Sequence, residues 1–412
     1  MIKLLVLTTT FPRFKKDSTP AFVYELCKHI AEKNIDVTVL CPHDKDAKIM
    51  EDMDGLHVIR FPYFFPKKYQ KLAYHGGILP SLKKGILPKI QIPFLIISEF
   101  FHAIKLIKKE KPSIIHSHWI IPSGLIGALC QKLFRIRHVM TIHAAGLFTL
   151  NKIPFKRFIA DFIITNSSQV TVVSSYIKDE LKEIITPALN INLDKKLSII
   201  PMGVNTSDFM VDIEKNKLKN KYNLNSKSVL LYFGRLAEKK GIPYLIKAMP
   251  SILTNHEDII LVICGGGPDK NELETLVSEL NIVSNVKFTG YISDEEKIEY
   301  FSFADILVVP SIVTSGGDTE GLPVVIMEGL AAGLPIIASD AGGIKDAIIN
   351  METGILIKQK SSDEIVKAVN IIMKNKELQS NLAERGKLLA RNMFSWDKIS
   401  DRYFKVLSKR TG

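Results

Sequence analysis

Short runs of apolar, often β-branched residues alternate with amphipathic helical patterns along the whole chain, and this alternation restricts the possible folds more than any other feature. Apolar runs separated by helices are typical of parallel strands that are covered on both faces. The predicted strands are 3–9, 37–41, 57–61, 113–118, 138–143, 170–174 and 197–201 in the first half and 229–235, 259–265, 286–290, 306–311, 335–339 and 354–357 in the second. Two such series predict an α/β protein with two doubly wound, Rossmann-like domains.

The two series meet near residues 201–209, PMGVNTSDF, and a chain of 412 residues accommodates two domains of ordinary size. The next segment, 213–227, is polar, basic and free of strand patterns, which fits a hinge and a surface helix equally well. We therefore predict a first domain over 1–204, a second domain over 205–390, and a C-terminal helix within 391–412.

The composition indicates a globular protein with an acidic partner. Apolar residues make up 46% of the chain and charged residues 24%, which excludes a disordered chain. The 55 Lys and Arg residues outnumber the 43 Asp and Glu residues, and the net charge of +12 favours a nucleotide, a phosphorylated substrate, an anionic lipid or a nucleic acid. The 4 cysteines are far apart and form no CxxC motif, so we predict buried, reduced thiols in a cytoplasmic protein.

The apolar segments are all short. The first residues, MIKLLVLTTTFPR, contain too short an apolar run for a signal peptide and are predicted to form a buried strand. The candidate nearest to a membrane span, IPFLIISEFF at 92–101, is interrupted by Glu99 and falls short of the roughly 18 apolar residues that a span needs. We therefore expect no membrane-spanning helix.

Ligands of open parallel sheets bind at the carboxyl ends of the strands, so the residues that follow each strand are the candidates for function. The strand 229–235 ends in Gly234 and Arg235, and Lys240 follows shortly after. Two cations beside glycines suit a diphosphate, although a solvated charged turn has the same pattern. The strand 259–265 ends in Gly265 and leads into GGP and a helix, which suits either an anion at the helix N-terminus or a tight turn.

A third strand end carries two glutamates in an apolar setting. Pro323 is predicted to lie in the first turn of a helix, so that Glu320 precedes the helix and Glu328 lies about one and a half turns inside it. Helical side chains lean toward the N-terminus, so Glu328 can reach a ligand at the mouth of the helix. A buried carboxylate needs sugar hydroxyls, backbone N–H groups or a cation as partners. A structural ion pair with a distant basic residue is the alternative.

Two histidines, His116 and His118, end the strand 113–118, and we expect them to face opposite sides of the sheet, which makes a poor metal pair. One would pack in the core and the other would line a cleft, where a histidine can donate or accept a hydrogen bond. His143 is a weaker candidate. The acidic pair Asp44 and Asp46 is predicted to be solvated surface, so no metal site is expected.

In chain order, the motifs TFPR, HSHWIIPSG, IIPMGVNTSDF, YFGRLAEKKG, CGGGP, KFTG, EGLPVVIMEGLAAGLPIIAS and AGGIKDAI resemble those of the family 4 retaining glycosyltransferases of the GT-B superfold. The resemblance extends along nearly the whole chain. Its specific part is the pair Glu320 and Glu328 with Gly-Leu-Pro after the first glutamate. The resemblance implies two Rossmann-like domains that face each other across a cleft, with the terminal helix around Trp396 crossing back onto the first domain.

The resemblance also implies a role for individual residues. Arg235 and Lys240 would hold the diphosphate of the donor and neutralise the leaving nucleotide in place of a metal ion. Glu320 would bind hydroxyls of the donor sugar, Glu328 the ribose, and His118 the donor sugar near the reacting carbon. We take His118, Arg235, Lys240 and Glu320 as the predicted catalytic residues. The further predicted donor contacts are Gly234, Gly265, Tyr291, Ile292, Gly321, Leu322, Val324 and Glu328, of which Tyr291 and Ile292 would lie near the base.

Two loops depart from the family pattern. Many relatives carry a Gly-Gly pair after the first strand, whereas this chain has FPRFKKDSTPAF, with Asp17, Ser18 and Thr19 in that region. Many relatives also carry His-Gly-x-Asp where this chain has HAAG from His143. The first departure puts in doubt a contact between the first domain and the donor phosphates. The second means that an acidic side chain expected to contact the acceptor is missing.

Residues 64–111 contain ten lysines against the two glutamates Glu99 and Glu110, with seven aromatic residues among them. This pattern suits peripheral contact with an anionic membrane and a lipid-linked acceptor. Lysines on solvated helix faces and aromatic residues in a core would give the same sequence. No recognition motif for nucleic acid accompanies the charge.

Together these features predict a hexosyltransferase that uses a UDP- or GDP-sugar as substrate, needs no cofactor or metal, and transfers the sugar with retention to a glycan, lipid-linked or polysaccharide acceptor. We expect a cytoplasmic monomer or weak homo-oligomer at the inner face of the cell membrane. The alternatives are a nucleotide-sugar epimerase of the same superfold and a non-catalytic nucleotide-sugar-binding subunit.

Overall fold

The computed structural model describes residues 2–15, 17, 19–74, 77–210, 214–224 and 227–409. Its internal contacts divide the chain into two compact units. Unit 1 comprises Met1–Met202 together with Trp396–Gly412, and unit 2 comprises Gly203–Ser395. Each unit contains a sheet covered by helices, parallel except for one edge strand of unit 1, which confirms the predicted pair of Rossmann-like domains.

Unit 1 contains an eight-stranded sheet with the order β3-β4-β2-β1-β5-β6-β7-β8. The strands are β1 (Ile2–Leu7), β2 (Ile35–Pro42), β3 (Met50–Met53), β4 (Leu56–Phe61), β5 (Ile114–His118), β6 (Arg137–Ile142), β7 (Gln169–Val172) and β8 (Leu197–Ile199). All neighbouring strands are parallel except β3, which pairs with β4 in the antiparallel sense. The sequence pattern did not predict β3, because two of the four residues of this edge strand are acidic and the strand is partly exposed.

The first eight helices cover the sheet of unit 1. They are α1 (Phe22–Ala31), α2 (Ile78–Leu82), α3 (Ile86–Glu110), α4 (Leu125–Phe134), α5 (Ala144–Leu150), α6 (Lys156–Thr165), α7 (Ser175–Ile184) and α8 (Pro187–Lys196). Within the described ranges, α3 is the one helix long and apolar enough, by length and composition alone, to cross a membrane, and 33% of its most apolar window is buried. A helix that packs in a protein core passes the same test, and α3 has seven buried residues, so the absence of a membrane-spanning helix stays a prediction.

Unit 2 contains a six-stranded parallel sheet with the order β11-β10-β9-β12-β13-β14. The strands are β9 (Ser228–Phe233), β10 (Ile259–Cys264), β11 (Val286–Gly290), β12 (Ile306–Val309), β13 (Ile336–Ser339) and β14 (Ile355–Ile357). The helices are α9 (Lys215–Lys221), α10 (Ile242–Asn255), α11 (Lys270–Glu279), α12 (Asp294–Phe303), α13 (Val324–Ala332), α14 (Ser362–Lys374) and α15 (Lys376–Leu389). The strand order reverses between β9 and β12, and such a reversal creates a crevice at the carboxyl ends of the two strands.

The last helix, α16 (Trp396–Ser408), packs in unit 1 against α1. Tyr403 is fully buried, and its hydroxyl lies 3.4 Å from the hydroxyl of Thr141 on β6. Arg137 donates a hydrogen bond of 2.5 Å to the carbonyl of Val406. These contacts make the end of the chain part of the core of the unit that contains its beginning.

Candidate functional site

The loops after β9 and β12 carry the predicted cations and one predicted carboxylate of unit 2. Leu230 and Leu231 of β9 pair with Ile306 and Leu307 of β12, so the two strands end side by side at the reversal of strand order. The sheet therefore brings together chain segments that are about 80 residues apart in sequence. This edge is where an open α/β sheet offers a ligand site.

The loop after β9 is shaped by two glycines. The N–H of Gly234 donates to the carbonyl of Cys264 at 3.0 Å, which ties the loop to β10. Gly241 has a φ of +63°, and a Cβ atom there would lie 1.9 Å from the carbonyl oxygen of Pro310. Arg235 between them is exposed. Lys240 lies in the short 3₁₀ turn Glu238–Lys240, which Gly241 ends.

Lys240 forms an ion pair with Glu320, with 3.0 Å between Nζ and Oε1. Glu320 is 9% exposed, and burial alone would raise the pKa of its carboxyl group. The charges of Lys240 and then Lys239 outweigh burial, and the pKa of Glu320 lies below its usual value. Glu320 is therefore an ionised, nearly buried carboxylate beside a cation at the predicted donor site.

Glu328 also has a lysine as its partner. Lys297 of α12 lies 3.0 Å from Oε1 of Glu328 and 3.2 Å from Asp294. Burial would lower the pKa of Lys297, but Glu328 and Asp294 raise it, so the lysine is charged. Of the partners that the sequence allowed for Glu328, the structure shows a basic residue that is distant in sequence. Lys297 is 31 positions away and follows the capping box of Ser293 and Glu296 that starts α12.

The N-terminus of α13 is close in sequence to both glutamates. Pro323 immediately precedes the helix, which starts at Val324, so Pro323 lies one residue earlier than predicted. Over the described part of the chain, no side chain caps this helix. Gly321 is buried, Leu322 and Val324 are half-buried, and the amides of a helix start are donors for an anion or a hydroxyl.

The glycine-rich loop after β10 is a tight turn in direct contact with the loop after β9. The N–H of Leu236 donates to the carbonyl of Gly266 at 3.0 Å, and the N–H of Gly265 donates to the carbonyl of Gly290 at 2.8 Å. A Cβ atom at Gly266 would lie 2.5 Å from the ring of Tyr291. Tyr291 itself is 84% exposed, which leaves most of its surface open to a ligand.

Ile292, next to Tyr291, is half-buried. The helix after the glycine-rich loop begins at Lys270, two residues beyond Pro268. Gly265 therefore belongs to a turn that precedes α11.

The histidines of unit 1 form a buried cluster. His116 and His118 have ring centroids 4.3 Å apart, so the prediction that they face opposite sides of the sheet was wrong. Residues two apart in a strand share a face, because successive side chains alternate. Nδ1 of His118 lies 3.1 Å from Nε2 of His143, and Nε2 of His116 lies 2.7 Å from the hydroxyl of Thr141.

These histidines are uncharged. Burial lowers the pKa of His116 and of His143 to about 3, and it lowers the pKa of His118 well below its usual value. Nε2 of His118 is buried, and none of the described residues forms a hydrogen bond with it. In the part of the chain that the structure describes, no group of three or more His, Cys, Asp or Glu side chains is arranged to hold a metal ion.

The loop after β1 carries a charged group that the sequence did not reveal. Arg13 pairs with Asp17 at 2.7 Å and with Asp44 at 3.0 Å. Burial raises the pKa of Asp17, but hydrogen bonds from Arg13 and Thr19 bring it down to about 2. Asp44 is 2% exposed, so its assignment to solvated surface was wrong, whereas Asp46 is exposed. Ser18 lies outside the described residues.

Two Rossmann-like units of this kind are the architecture of the GT-B glycosyltransferases. Sucrose-phosphate synthase from Thermosynechococcus elongatus superposes with a TM-score of 0.78 at 21% identity, covering 98% of each chain. HepE from Anabaena, in a structure with UDP-glucose, superposes with a TM-score of 0.70 at 16% identity, covering 99% of this chain and 100% of HepE. At identities this low, the superpositions establish the shared fold and nothing more.

Comparison of sequences identifies the family. Residues 20–208 match the model of Glycosyltransferase Family 4, and residues 214–389 match that of Glycosyl transferases group 1. An uncharacterized glycosyltransferase of Methanocaldococcus jannaschii is 27% identical over 85% of this chain and 89% of its own. A GDP-mannose-dependent alpha-(1-6)-phosphatidylinositol monomannoside mannosyltransferase of Mycobacterium tuberculosis is 28% identical over 60% of this chain and 63% of its own. The chain belongs to the family 4 glycosyltransferases and is a hexosyltransferase of the GT-B fold.

Proposed function

We propose that the protein transfers a hexose from a UDP- or GDP-sugar to a hydroxyl group of a glycan, polysaccharide or lipid-linked acceptor, with retention of configuration and without a metal ion. The observation that carries this proposal is the group of Arg235, Lys240 and Glu320 at the strand-order reversal of unit 2. It combines two cations for a diphosphate with an ionised carboxylate for sugar hydroxyls.

Arg235 and Lys240 would supply the electrostatic part of catalysis. The reaction breaks the bond between the anomeric carbon and the diphosphate oxygen, and negative charge grows on the leaving nucleoside diphosphate. Fixed cations at that oxygen stabilise the transition state more than the ground state. Arg235 is exposed and can form a fork to two phosphate oxygens, while Lys240 provides a point charge.

The ion pair with Glu320 fixes the position of Lys240. The pair at 3.0 Å keeps the ammonium group of Lys240 in place and Glu320 ionised. When the donor binds, the phosphate would share Lys240, and the oxygens of Glu320 would accept hydrogen bonds from hydroxyls of the sugar. This arrangement supports a role for Glu320 in positioning the sugar next to its own leaving group.

The rest of the donor would contact the surrounding loops. Glu328 would accept hydrogen bonds from the ribose, with Lys297 holding the carboxylate in place at 3.0 Å. Tyr291 and Ile292 would lie beside the base, and the backbone of Gly234 and Gly265 would allow close approach. The amides of Gly321, Leu322 and Val324, at the start of α13, would donate to the sugar and phosphate.

Retention is supported by family membership together with the fixed cations. In the mechanism proposed for the family, the acceptor hydroxyl attacks the anomeric carbon from the leaving-group side, and a phosphate oxygen takes its proton. His118, whose neutral ring has an unused Nε2 among the described residues, would form a hydrogen bond with the donor sugar near the reacting carbon.

The proposed substrates and location have separate support. A GDP-mannose-dependent relative and the HepE complex with UDP-glucose support nucleoside diphosphate hexoses as donors. The mannosyltransferase relative, which is named for a phosphatidylinositol acceptor, supports a lipid-linked acceptor. The cysteines Cys27, Cys41, Cys130 and Cys264 are all free and buried, which supports a reducing, cytoplasmic compartment.

A thermal-shift screen against a panel of UDP-, GDP- and ADP-sugars tests the donor. A true donor raises the unfolding temperature by mass action, and the shift grows with its concentration. The protein is then incubated with the stabilising donor, with and without an extract that contains glycan, polysaccharide and lipid-linked acceptors. Release of the nucleoside diphosphate is measured. We expect release to depend on the acceptor.

Two results would contradict the proposal. One is the absence of stabilisation by every nucleotide sugar of the panel. The other is turnover of the donor at the same rate with and without acceptor, which would favour an epimerase. The same two assays on Glu320→Gln give a comparison with the native protein. This variant keeps the shape of the side chain and removes the charge that pairs with Lys240.

A further inference from the structure

Helix α3 of unit 1 exposes a continuous apolar stripe. Five large apolar side chains are between 48% and 73% exposed, and they are Ile86, Ile90, Phe94, Ile97 and Phe101. Their spacings of four, four, three and four residues place them within an arc of about 80° on the helix surface. Scattered exposed apolar residues are common on proteins, but one aligned stripe along a 25-residue helix indicates a binding surface.

The opposite side of α3 packs on unit 1. The buried residues of the helix are Pro88, Gln91, Leu95, Glu99, Ala103, Leu106 and Ile107. Burial raises the pKa of Glu99 to about 8, so this carboxyl group is neutral and does not disturb the apolar packing. Because one side of α3 covers the core of its own unit, the helix lies on the protein surface and presents only its other side to a partner.

A neighbouring segment extends the stripe. Phe64 contacts Phe94 edge-on, with 5.6 Å between ring centroids, and the amide of Gln91 donates to the carbonyl of Tyr69 at 2.6 Å. These contacts hold residues 63–71 against α3. Phe65 and Tyr69 of this segment are 86% and 45% exposed. We call the exposed side of α3 together with residues 64–69 the α3 surface.

Positive charge surrounds the α3 surface. Every lysine between residues 64 and 111 is exposed, and they are Lys67, Lys68, Lys71, Lys83, Lys84, Lys89, Lys105, Lys108, Lys109 and Lys111. The two acidic residues of the same stretch do not offset this charge at the stripe, because Glu99 is buried and neutral and Glu110 lies on the opposite side of α3, about 160° around the helix from the middle of the stripe. Lysines on long apolar stems beside an apolar stripe match the headgroup region of an anionic bilayer.

We propose that the α3 surface docks the protein on a membrane that contains anionic lipids, with the apolar stripe in the acyl boundary and the lysines at the headgroups. A second copy of the chain is a less favourable partner for the α3 surface, because it would bring two lysine-rich surfaces together. Nucleic acid is also weaker, because a phosphate backbone offers nothing to the apolar stripe. The docking would bring the proposed lipid-linked acceptor to the enzyme and rests on the proposed function in that respect alone.

Vesicle co-sedimentation of the full chain tests the docking independently of catalysis. The vesicles contain phosphatidylcholine alone or phosphatidylcholine and phosphatidylglycerol at about 7:3, a proportion that gives a surface potential of the physiological sign. We expect at least about tenfold tighter binding to the anionic vesicles, and weaker binding at high salt because exposed charges are then screened.

Two sets of variants separate the apolar and the charged contributions. The triple variant Ile90→Gln, Ile97→Gln and Phe101→Gln changes only exposed side chains, and we expect at least about tenfold weaker binding. Its control is Val283→Gln, Ile371→Gln and Leu388→Gln, which changes exposed apolar side chains of unit 2. Lys83→Ala, Lys89→Ala and Lys105→Ala should each weaken binding about fivefold, since a lysine near an anionic surface contributes about 1 kcal/mol.

The control for the lysine variants is Lys217→Ala, Lys374→Ala and Lys398→Ala, which removes the same charge from exposed positions elsewhere. Equal losses in both lysine sets, or equal losses in both apolar sets, would overturn the proposal. So would equal binding to both vesicle types, or a dimer in light scattering that the α3 triple variant alone dissolves. Failure of the donor screen with intact vesicle binding would overturn the proposed function and leave the docking in place. An unchanged thermal midpoint verifies that each variant folds.

Discussion

In both units the strand order reverses beside the first strand, between β1 and β5 in unit 1 and between β9 and β12 in unit 2. The chemistry at the ends of these strands differs. Unit 1 places uncharged histidines there, with His118 paired to His143. Unit 2 places the ion pair of Lys240 and Glu320 there, and a second ion pair, Lys297 with Glu328, joins α12 to α13. One topology therefore supports two kinds of polar site.

The difference follows from what surrounds each group. His116 and His118 of unit 1 are fully buried, and burial, with smaller contributions from neighbouring histidines, lowers their pKa so that they lose their charge. The carboxylates of unit 2 are also largely buried, but each lies 3.0 Å from an ammonium group, and the charge of Lys240 helps to hold the pKa of Glu320 below its usual value. A neutral site suits hydrogen bonding to an uncharged sugar, and a charged site suits a diphosphate.

The largest expected effect is on catalysis by unit 2. Lys240→Ala should lower kcat/KM by about a hundred- to a thousandfold, because it removes a fixed cation from the leaving group. The measurement is release of nucleoside diphosphate at saturating acceptor. Lys239→Ala is the matched control, since Lys239 is adjacent in sequence but lies 3.4 Å from the half-exposed Asp318. A loss of similar size in both variants would show that bulk positive charge, and not the position of Lys240, matters.

Acidification should destabilise unit 1 before unit 2. The pKa of His116 and of His143 is about 3 in the folded protein, against 6.5 for an unperturbed histidine, because both are buried. Below pH 6.5 the unfolded chain binds protons that the folded chain does not, so stability is complete above pH 6.5 and falls as the pH drops toward 3. The loss is about 2 kcal/mol per histidine between pH 6.5 and pH 5.

Unit 2 should keep its ion pair over the same range. The pKa of Glu320 lies below the usual 4.5, so the stability from its charge is present above pH 4.5 and is lost only as the pH falls further. The two tryptophans, Trp119 and Trp396, both belong to unit 1, so tryptophan fluorescence during urea unfolding reports on unit 1 alone. Hydrogen exchange of the backbone amides of β9 and β12 reports on the stability of unit 2. Equal losses in both units between pH 7 and pH 5 would contradict the comparison.

A smaller effect should distinguish a role of the Lys297–Glu328 ion pair in nucleotide binding from a purely structural role. Glu328→Gln should weaken nucleotide binding about tenfold, because an uncharged amide is a poorer acceptor for the ribose hydroxyls. Thermal stability should fall by only about 1 kcal/mol, since the pair is partly exposed. Titration calorimetry with the nucleotide that stabilises the protein measures the first effect.

The control for this variant is Glu299→Gln on α12, the helix that carries Lys297. Glu299 also forms an ion pair, with Lys221 at 2.6 Å, but it has no predicted contact with the donor. We expect its loss to leave nucleotide affinity unchanged within about twofold. If Glu328→Gln changed stability but not affinity, the pair would be structural only.

The strands and the two-unit division could be predicted from the sequence because each depends on local patterns of apolar residues. The edge strand β3 could not, because pairing with β4 and not its own composition makes it a strand. Lys297 and Arg13 were missed for a related reason. Each pairs with an acidic residue 31 positions away, Glu328 and Asp44, and no local pattern links such partners.

The shared face of His116 and His118 could have been predicted, since strand periodicity alone requires it. The loss of their charge could not, because it depends on burial by residues from β6 and α16. The roles of the residues at the donor site remain predictions that rest on family resemblance and on the chemistry of the loops.

The membership of α16 in unit 1 bears on how the chain folds during its synthesis. The ribosome releases all of unit 2, Gly203–Ser395, before the helix that completes unit 1. Until then Thr141 and Thr171 lack Tyr403, and Arg137 lacks the carbonyls at the end of α16. Unit 2 can therefore fold before unit 1, although it is translated later. Unit 1 stays partly assembled until α16 has been synthesised.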